Sequence, residues 1–382
     1  MQIELTEQQK ALKNEVRTFL EKEIAPLVEV YEREGRLITS DIVKKVLPFG
    51  YIGGLLPREV GGYGLDLISY FSLIEELTRV WPSLRIYIAS ANLIATYINK
   101  YGTEEAKKKY MPGLLNGDIS AYFALTEPDA GSDAGSIKLK AELQGENYIL
   151  NGTKAYVALG DGELGLVFAV TDPEKGAKGI TAFLIERDFS PYSIRQIQKM
   201  GTHAASMVDI TFKDTVVPAE NMIGGMGQGL PLAMNFLNTV RSAIPFICAG
   251  VGQACLEASV KYAKERTQFG KPLAKFQLIQ EKIANMAIKI EAIKLLGYQA
   301  AYLVEKGVPC QKEVSMAKVF ASEYIKEVCQ DAIQIHGAAG YMKDLPIERY
   351  YRDISYFTIA DGTSEIHRLI IGKNILGTSA YV

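Results

Sequence analysis

The hydrophobic period of this chain changes twice along its length, and that change constrains the fold more than any other feature. Over residues 6–30 the apolar positions recur at helical spacing. Leu12, Val16, Phe19, Leu20, Ile24 and Leu27 fall on one face, and Thr6 with Gln9 makes a capping-box pattern at the start. Helical patterns recur to about Asn116, broken by the turn-forming stretch "LLPREVGGYGLD". From about Ala121 to Pro218 the period shortens to that of strands. "AELQGENYILNGTKAYVALG" alternates and carries Asn151-Gly152, which reads as a hairpin turn. "LGLVFAVTDPEKGAKGITAFLIER" gives two strands around a polar turn, and "MVDITFKDTVVP" gives another. From about Leu230 long helices return, including one with Ile279, Ile283, Met286, Ile290 and Ile293 on a single stripe that ends at Gly307. Strands do not alternate with helices, which argues against a doubly wound parallel sheet. The expectation is a multidomain α+β chain: an N-terminal helical domain over 1–118, a middle antiparallel β-domain over 119–226, and a C-terminal four-helix-bundle domain over 227–382.

Composition narrows the function classes. A chain of 382 residues with 48% apolar and 23% charged residues can bury two or three sizeable cores. A net charge of −2 gives no electrostatic reason to bind nucleic acid or an anionic membrane. No apolar run reads as a bilayer span, and "MQIELTEQQKALKNEV" lacks a signal-peptide core, so a cytoplasmic location is expected. Cys248, Cys255, Cys310 and Cys329 form no C-x-x-C pair, and His203, His336 and His367 lack metal spacing. No metal is expected, so redox chemistry would need an organic cofactor. "IGGMGQG" (residues 223–229) does not fit G-x-G-x-x-G and has no βαβ context, so it reads as a loop rather than a nicotinamide site.

Four stretches carry candidate chemistry. In "TIADGTSEIHRLIIGKNIL" (residues 358–376), Asp361 reads either as a helix N-cap or as a catalytic base at the lip of a pocket. "YFALTEPDAGSDAGS" (residues 122–136) is rich in hydroxyls and glycine, suited to a polar or planar ligand or to a turn-rich strand entry. "ERTQFGKPLAKFQLIQ" (residues 265–280) joins two long helices, with Arg266 and Gln277 on either flank of the turn. "QIHGAAGYMKDLPIERYYRD" (residues 334–353) leaves a helix through Gly337 and Gly340, either to end it or to let a ligand approach.

Taken together, in this order and spacing, these motifs resemble the acyl-CoA dehydrogenase family of flavoproteins over essentially the whole chain. The resemblance implies FAD, spread over two subunits of a homotetramer. Leu125 and Thr126 would meet the flavin ring, Ser132 the pyrophosphate or the CoA, and Tyr156 and Val157 would flank the isoalloxazine. Arg266, Phe269, Gln277, Gln334, Gly337 and Ala338 would hold the adenine side of a neighbour's FAD, and Thr363 and Glu365 would lie beside the pyrophosphate. Asn238 and Arg241 occupy the CoA-binding positions, and Gly362 would border the substrate. Asp361 would remove the α-proton of an acyl-CoA thioester while its backbone N–H and a flavin hydroxyl polarise the carbonyl. The β-hydrogen would leave as hydride to flavin N5, and an electron-transfer flavoprotein would take the electrons.

The chain departs from the family's common pattern at several positions. The base is usually glutamate, one methylene longer than Asp361. Members that carry the glutamate on the preceding helix have it where this chain has Val240. Ala360 replaces a frequent Tyr, Ala158 replaces the hydroxyl near flavin N5, "GAAG" replaces "GGNG", and His203 replaces a common Arg. An aspartate base also resembles the nitroalkane-oxidising branch of the superfamily. That keeps an oxidase, a carrier-protein thioester dehydrogenase and a non-catalytic flavin-binding relative as alternatives. Arg85 stands where glutaryl-CoA dehydrogenases carry an Arg that pairs with a distal carboxylate. Read from the helix pattern alone, it is a solvated surface charge.

Overall fold

The capping box forms as its pattern predicts. Thr6 Oγ1 accepts from the Gln9 N–H at 3.2 Å, and Gln9 Oε1 accepts from the Thr6 N–H at 2.9 Å. In this computed structural model, which describes residues 5–380, that box starts α1 (Glu7–Phe19). The chain then passes through a π turn at Leu20–Ile24 into α2 (Ala25–Glu34). Pro26 has no N–H to bond the carbonyl four residues back, and Ala25 N–H reaches instead to Leu20 O, so the ladder widens there. After α3 (Ser40–Val46), the turn-rich stretch is a loop holding one 3₁₀ turn at Arg58–Val60. It leads to α4 (Leu67–Val80), α5 (Pro82–Tyr101) and α6 (Glu104–Leu115).

The middle segment forms one sheet from β1 (Ala121–Ala124), β2 (Lys140–Gln144), β3 (Asn147–Ala158), β4 (Leu164–Val170), β5 (Ile180–Glu186), β6 (Ser193–Gln196), β7 (Met207–Pro218) and β8 (Met222–Ile223). The order is β6-β7-β3-β2-β4-β5-β8, with β1 beside β4. The β1–β4 and β2–β4 pairings are parallel and the rest antiparallel, so the sheet is mixed rather than purely antiparallel. The expected turn at Asn151-Gly152 is not a turn. The β2–β3 hairpin closes at Gly145-Glu146, where Gln144 pairs with Asn147 and Gly145 has φ +61°. Asn151-Gly152 lies inside β3 at a register shift against β7. Both ends of the Asn151 amide are occupied by Asp214, its Oδ1 accepting the Asp214 N–H at 2.9 Å. An Asn-Gly pair serves a bulge as readily as a turn.

The C-terminal segment comprises α7 (Gly229–Glu265), a two-residue-per-strand ribbon β9 (Thr267–Gln268) and β10 (Lys271–Pro272), and α8 (Gln277–Glu305). It ends with α9 (Gln311–His336), α10 (Ala338–Tyr341), α11 (Ile347–Ile354) and α12 (Ser364–Leu376). The ribbon turns through Phe269 and Gly270, both at positive φ (49° and 76°), as a two-residue hairpin turn requires. By length and composition α7 does contain a window apolar enough to cross a membrane, contrary to the sequence reading. Most of that window is buried inside the fold, so its apolarity belongs to a core helix. At its centre, a Cβ on Gly297 of α8 would lie 2.8 Å from Pro245, so only glycine admits this approach of the two helices.

The two helical segments share one hydrophobic core. Phe71, Leu73 and Leu77 of α4 pack in the same cluster as Phe246 and Ile247 of α7, Ile290 and Ile293 of α8 and Ile325 of α9. The sheet has its own core of Leu150, Val167, Phe183, Val208 and Phe212. The 361–363 loop thus rests on the helical body, held by Arg241, Lys318 and His367.

Candidate active site

Asp361 is not a helix cap. The N-cap of α12 is Thr363, whose Oγ1 accepts the Ile366 N–H at 3.3 Å. Asp361 stands two residues earlier in a left-handed conformation, φ +56°, followed by Gly362 at +97°. Holding a non-glycine residue there costs on the order of 1–3 kcal/mol, and persists only when its surroundings over-determine it. They do. Arg241 Nε on α7 donates to the Asp361 carbonyl at 2.8 Å, and His367 Nε2 on α12 lies 3.2 Å from the same oxygen. Lys318 Nζ on α9 donates to the Gly362 carbonyl at 2.7 Å. The carbonyl can only accept, so His367 carries its proton on Nε2, and Nδ1 accepts from Ser315 Oγ at 2.9 Å. Burial keeps this imidazole neutral, helped by the charges of Arg241 and Lys318, with its pKa pushed down to about 3. Burial likewise lowers Lys318 to about 8 against the pull of Asp361.

These contacts consume the backbone carbonyls of Asp361 and Gly362. Among the described residues, neither the Asp361 carboxylate nor its N–H has a hydrogen-bond partner. The side chain is half-buried. An unbonded carboxylate and an unbonded N–H on one residue of a fixed backbone can take a proton and bind an oxygen anion.

The other expected site residues fall into groups. Leu125 and Thr126 are stitched to β3: Lys154 Nζ donates to Leu125 O at 3.0 Å, and the Ala155 N–H donates to Thr126 O at 2.9 Å. Lys154 is fully buried and paired at 2.8 Å with Glu127, which also accepts the N–H groups of Lys138 and Leu139. Burial lowers this lysine to about 8 even beside its carboxylate. Sequence reasoning missed both residues. The signal was a lysine at an inward position of an alternating strand. Beside them Tyr156 is 64% exposed at φ +56°, whereas Val157 is 2% exposed with its side chain in the sheet core, so it can meet a ligand through its backbone alone. Ser132 lies exposed on the following loop.

A second group gathers where α7 and α9 end together. Tyr262 stacks on His336 with ring centroids 4.5 Å apart. Arg266 follows Tyr262 by one turn, and Gly337 follows His336 directly, so the two motifs emerge side by side. Arg266, Gln277, Gln334, Gly337 and Ala338 are exposed, and Phe269 is 92% exposed. The third group is the Asp361 loop itself, with Gly362, Thr363 and Glu365, backed by Arg241, with Asn238 nearly one turn before it on α7.

Arg85 overturns the surface-charge reading. It is 8% exposed, lies 5.9 Å from the Phe357 ring shortly before Asp361, and has no carboxylate partner among the described residues. Its charge is felt by Tyr70, Cys248 and Tyr356, which places it in the shared interior of α4, α5 and α7. His203, at the position of the expected Arg, lies with Nε2 3.1 Å from the Lys199 carbonyl.

The donor set suits a flavin dinucleotide. Exposed Tyr156 offers a ring face, Thr126 and Ser132 offer hydroxyls, the start of α12 offers N–H groups, and Arg266 offers a guanidinium with no partner among the described residues.

Comparison with known proteins agrees along the whole chain. Family models for the N-terminal, middle and C-terminal domains of acyl-CoA dehydrogenase match residues 6–118, 122–215 and 227–376. An acyl-CoA dehydrogenase of Bacillus subtilis is 39% identical over 98% of this chain and 99% of its own length. A caffeyl-CoA reductase-Etf complex subunit of Acetobacterium woodii is 39% identical over 97% of this chain and 99% of its own. A glutaryl-coenzyme A dehydrogenase solved as its glutaryl-CoA complex superposes with a TM-score of 0.94 at 34% identity, covering 99% of this chain and 97% of that one.

Proposed function

The chain belongs to the acyl-CoA dehydrogenase family, and on that premise we propose that it catalyses α,β-dehydrogenation of an acyl-CoA thioester with Asp361 as the α-proton base. The observation that carries this reading is the Asp361 turn, whose carbonyls are bonded from three helices while its carboxylate and N–H have no hydrogen-bond partner among the described residues. The N–H stabilises the charge that develops on the thioester oxygen, and the carboxylate accepts the proton released by the same carbon acid. Asp361 is shorter than the family's usual glutamate, and a displacement near 1 Å can cost on the order of 100-fold. The left-handed turn fixes where the shorter carboxylate sits.

FAD, when bound, supplies the acceptor for the β-hydrogen. Leu125, Thr126, Tyr156 and the Val157 backbone would hold its ring. Arg266, Phe269, Gln277 and the 334–338 turn would hold the adenine side from a neighbouring subunit. A homotetramer is part of the proposal, supported by apolar side chains left outward on long helices: Leu278 (72% exposed) and Ile288 (65%) on α8, and Ile375 (67%) on α12. An electron-transfer flavoprotein as redox partner rests on the relative from an Etf complex.

Within that reading, Arg85 favours an acyl group with an anionic end. A buried guanidinium without a carboxylate is costly, and a dicarboxylyl thioester would supply the missing partner. The test is anaerobic titration of the yellow protein with linear, branched, cyclic and glutaryl CoA thioesters, following the flavin band. Bleaching by one class, lost in Asp361→Ala, supports the reading. A full FAD complement with no bleaching by any thioester contradicts it.

A further inference from the structure

Lys318 is the least expected charge in the interior. Its side chain is 0% exposed on α9, yet among the described residues it makes no ion pair, and its one hydrogen bond there runs to the Gly362 carbonyl at 2.7 Å. With Arg241 and His367 on the Asp361 carbonyl, two consecutive peptide oxygens are held by donors from three different helices. Building on the assignment of Asp361 as base, we infer that Lys318 is a positioning residue that holds the 361–362 turn, and with it the carboxylate, in reacting geometry. A structural lysine needs only to fill space. This one is directed at the residue following the base, at the cost of burying an ammonium.

The charges that face Lys318 are Asp361 in the loop, Arg241 and Cys248 on α7, Glu323 on its own helix, and Glu365 and His367 on α12. Burial, with Arg241 acting in the same direction, outweighs the carboxylates and lowers the ammonium to about 8. Above that pH the bond to Gly362 weakens from charge-assisted to neutral, so turnover falls on the alkaline side. Lys154 and Lys199 are also lowered to about 8 by burial, so the limb must be assigned by substitution.

The experiment compares Lys318→Met and Lys318→Arg with the wild type, each checked for flavin content and Tm. Three readouts are taken: kcat and KM on the best thioester, kcat against pH, and hydrogen–deuterium exchange of the 356–370 segment. Lys318→Met is expected to lower kcat by on the order of 10- to 100-fold while KM stays within about threefold. It should also speed exchange at Ile366 and His367, whose N–H groups bond Thr363 Oγ1 and O next to the turn. Lys318→Arg is expected to recover most of kcat and to lose the alkaline limb. Should the guanidinium not be accommodated, Lys318→Gln, a neutral donor, is expected between Met and wild type, again without the limb. Unchanged kcat and exchange in Lys318→Met overturns the inference, as does a limb that persists in Lys318→Arg. Failure of the base assignment looks different: no thioester reacts even with the wild type. Exchange at 366–367 then decides alone, faster in Lys318→Met upholding the clamp and unchanged rejecting it.

Discussion

Asp361 and Arg85 are the two residues on which the account rests. Replacing Asp361 with alanine would remove the proposed base but no hydrogen bond within the described residues, since those of Asp361 run through its backbone carbonyl. Thioester oxidation should therefore fall by roughly 100- to 10,000-fold with the fold intact, as measured by stopped-flow flavin reduction and by Tm. Arg85→Met should act on binding rather than chemistry. For a dicarboxylyl thioester KM should rise by a factor corresponding to about 2–5 kcal/mol, while an unsubstituted acyl thioester of equal length changes little. Equal loss on both substrates would assign Arg85 to packing. The sequence placed Asp361 in the correct segment but left cap and base unresolved, because both uses favour a carboxylate before a helix. Only the hydrogen bond from Ile366 to Thr363 separates them. Arg85 was read as a surface charge because a helix pattern shows which residues share a face, not what covers it.

At the scale of elements, the β1–β3 junction is the most exacting. The Lys154–Glu127 pair fixes the chain at Leu125 and the strand before Tyr156, so its loss should reach the cofactor as well as stability. Lys154→Met leaves the buried Glu127 without its counter-charge, held only by the Lys138 and Leu139 N–H groups; we expect a loss of about 3–5 kcal/mol in chemical denaturation together with reduced flavin content in the purified protein. Most elements here were legible. The helix stripes, the strand pairs of β4 and β5, and the α1 capping box all have local causes. The β2–β3 turn was misplaced because Asn-Gly is the stronger local signal, and a neighbouring strand, through Asp214, overrode it.

At the scale of the molecule, three segments meet at a buried charge cluster. Asp353 Oδ1 on α11 accepts the Thr202 N–H at 2.6 Å, and Arg349 lies 3.6 Å from Asp353 Oδ2. Glu32, Arg349 and Asp353 each keep a buried polar atom without a partner. Burial raises the Asp353 carboxyl from 3.8 to about 6 despite Arg349. The folded protein therefore holds a proton there that the unfolded chain has released, so this group's contribution to stability falls as pH rises from about 4 to 6. Asp353→Asn removes that slope. Denaturation midpoints measured across this range should shift in favour of the variant with rising pH, and a constant difference would contradict the assignment. The three-segment order was legible from the two changes of hydrophobic period. The common core of the outer segments was not, since a stripe on α4 does not say that α7 will cover it.

The central claim is that Asp361 takes the α-proton, and exchange of that proton tests it most directly. Incubating the protein with a reactive acyl-CoA in deuterium oxide and following the α-position by NMR should show wash-in of deuterium by the wild type and none by Asp361→Ala at equal FAD content. Equal wash-in by both would place the base elsewhere and contradict the account.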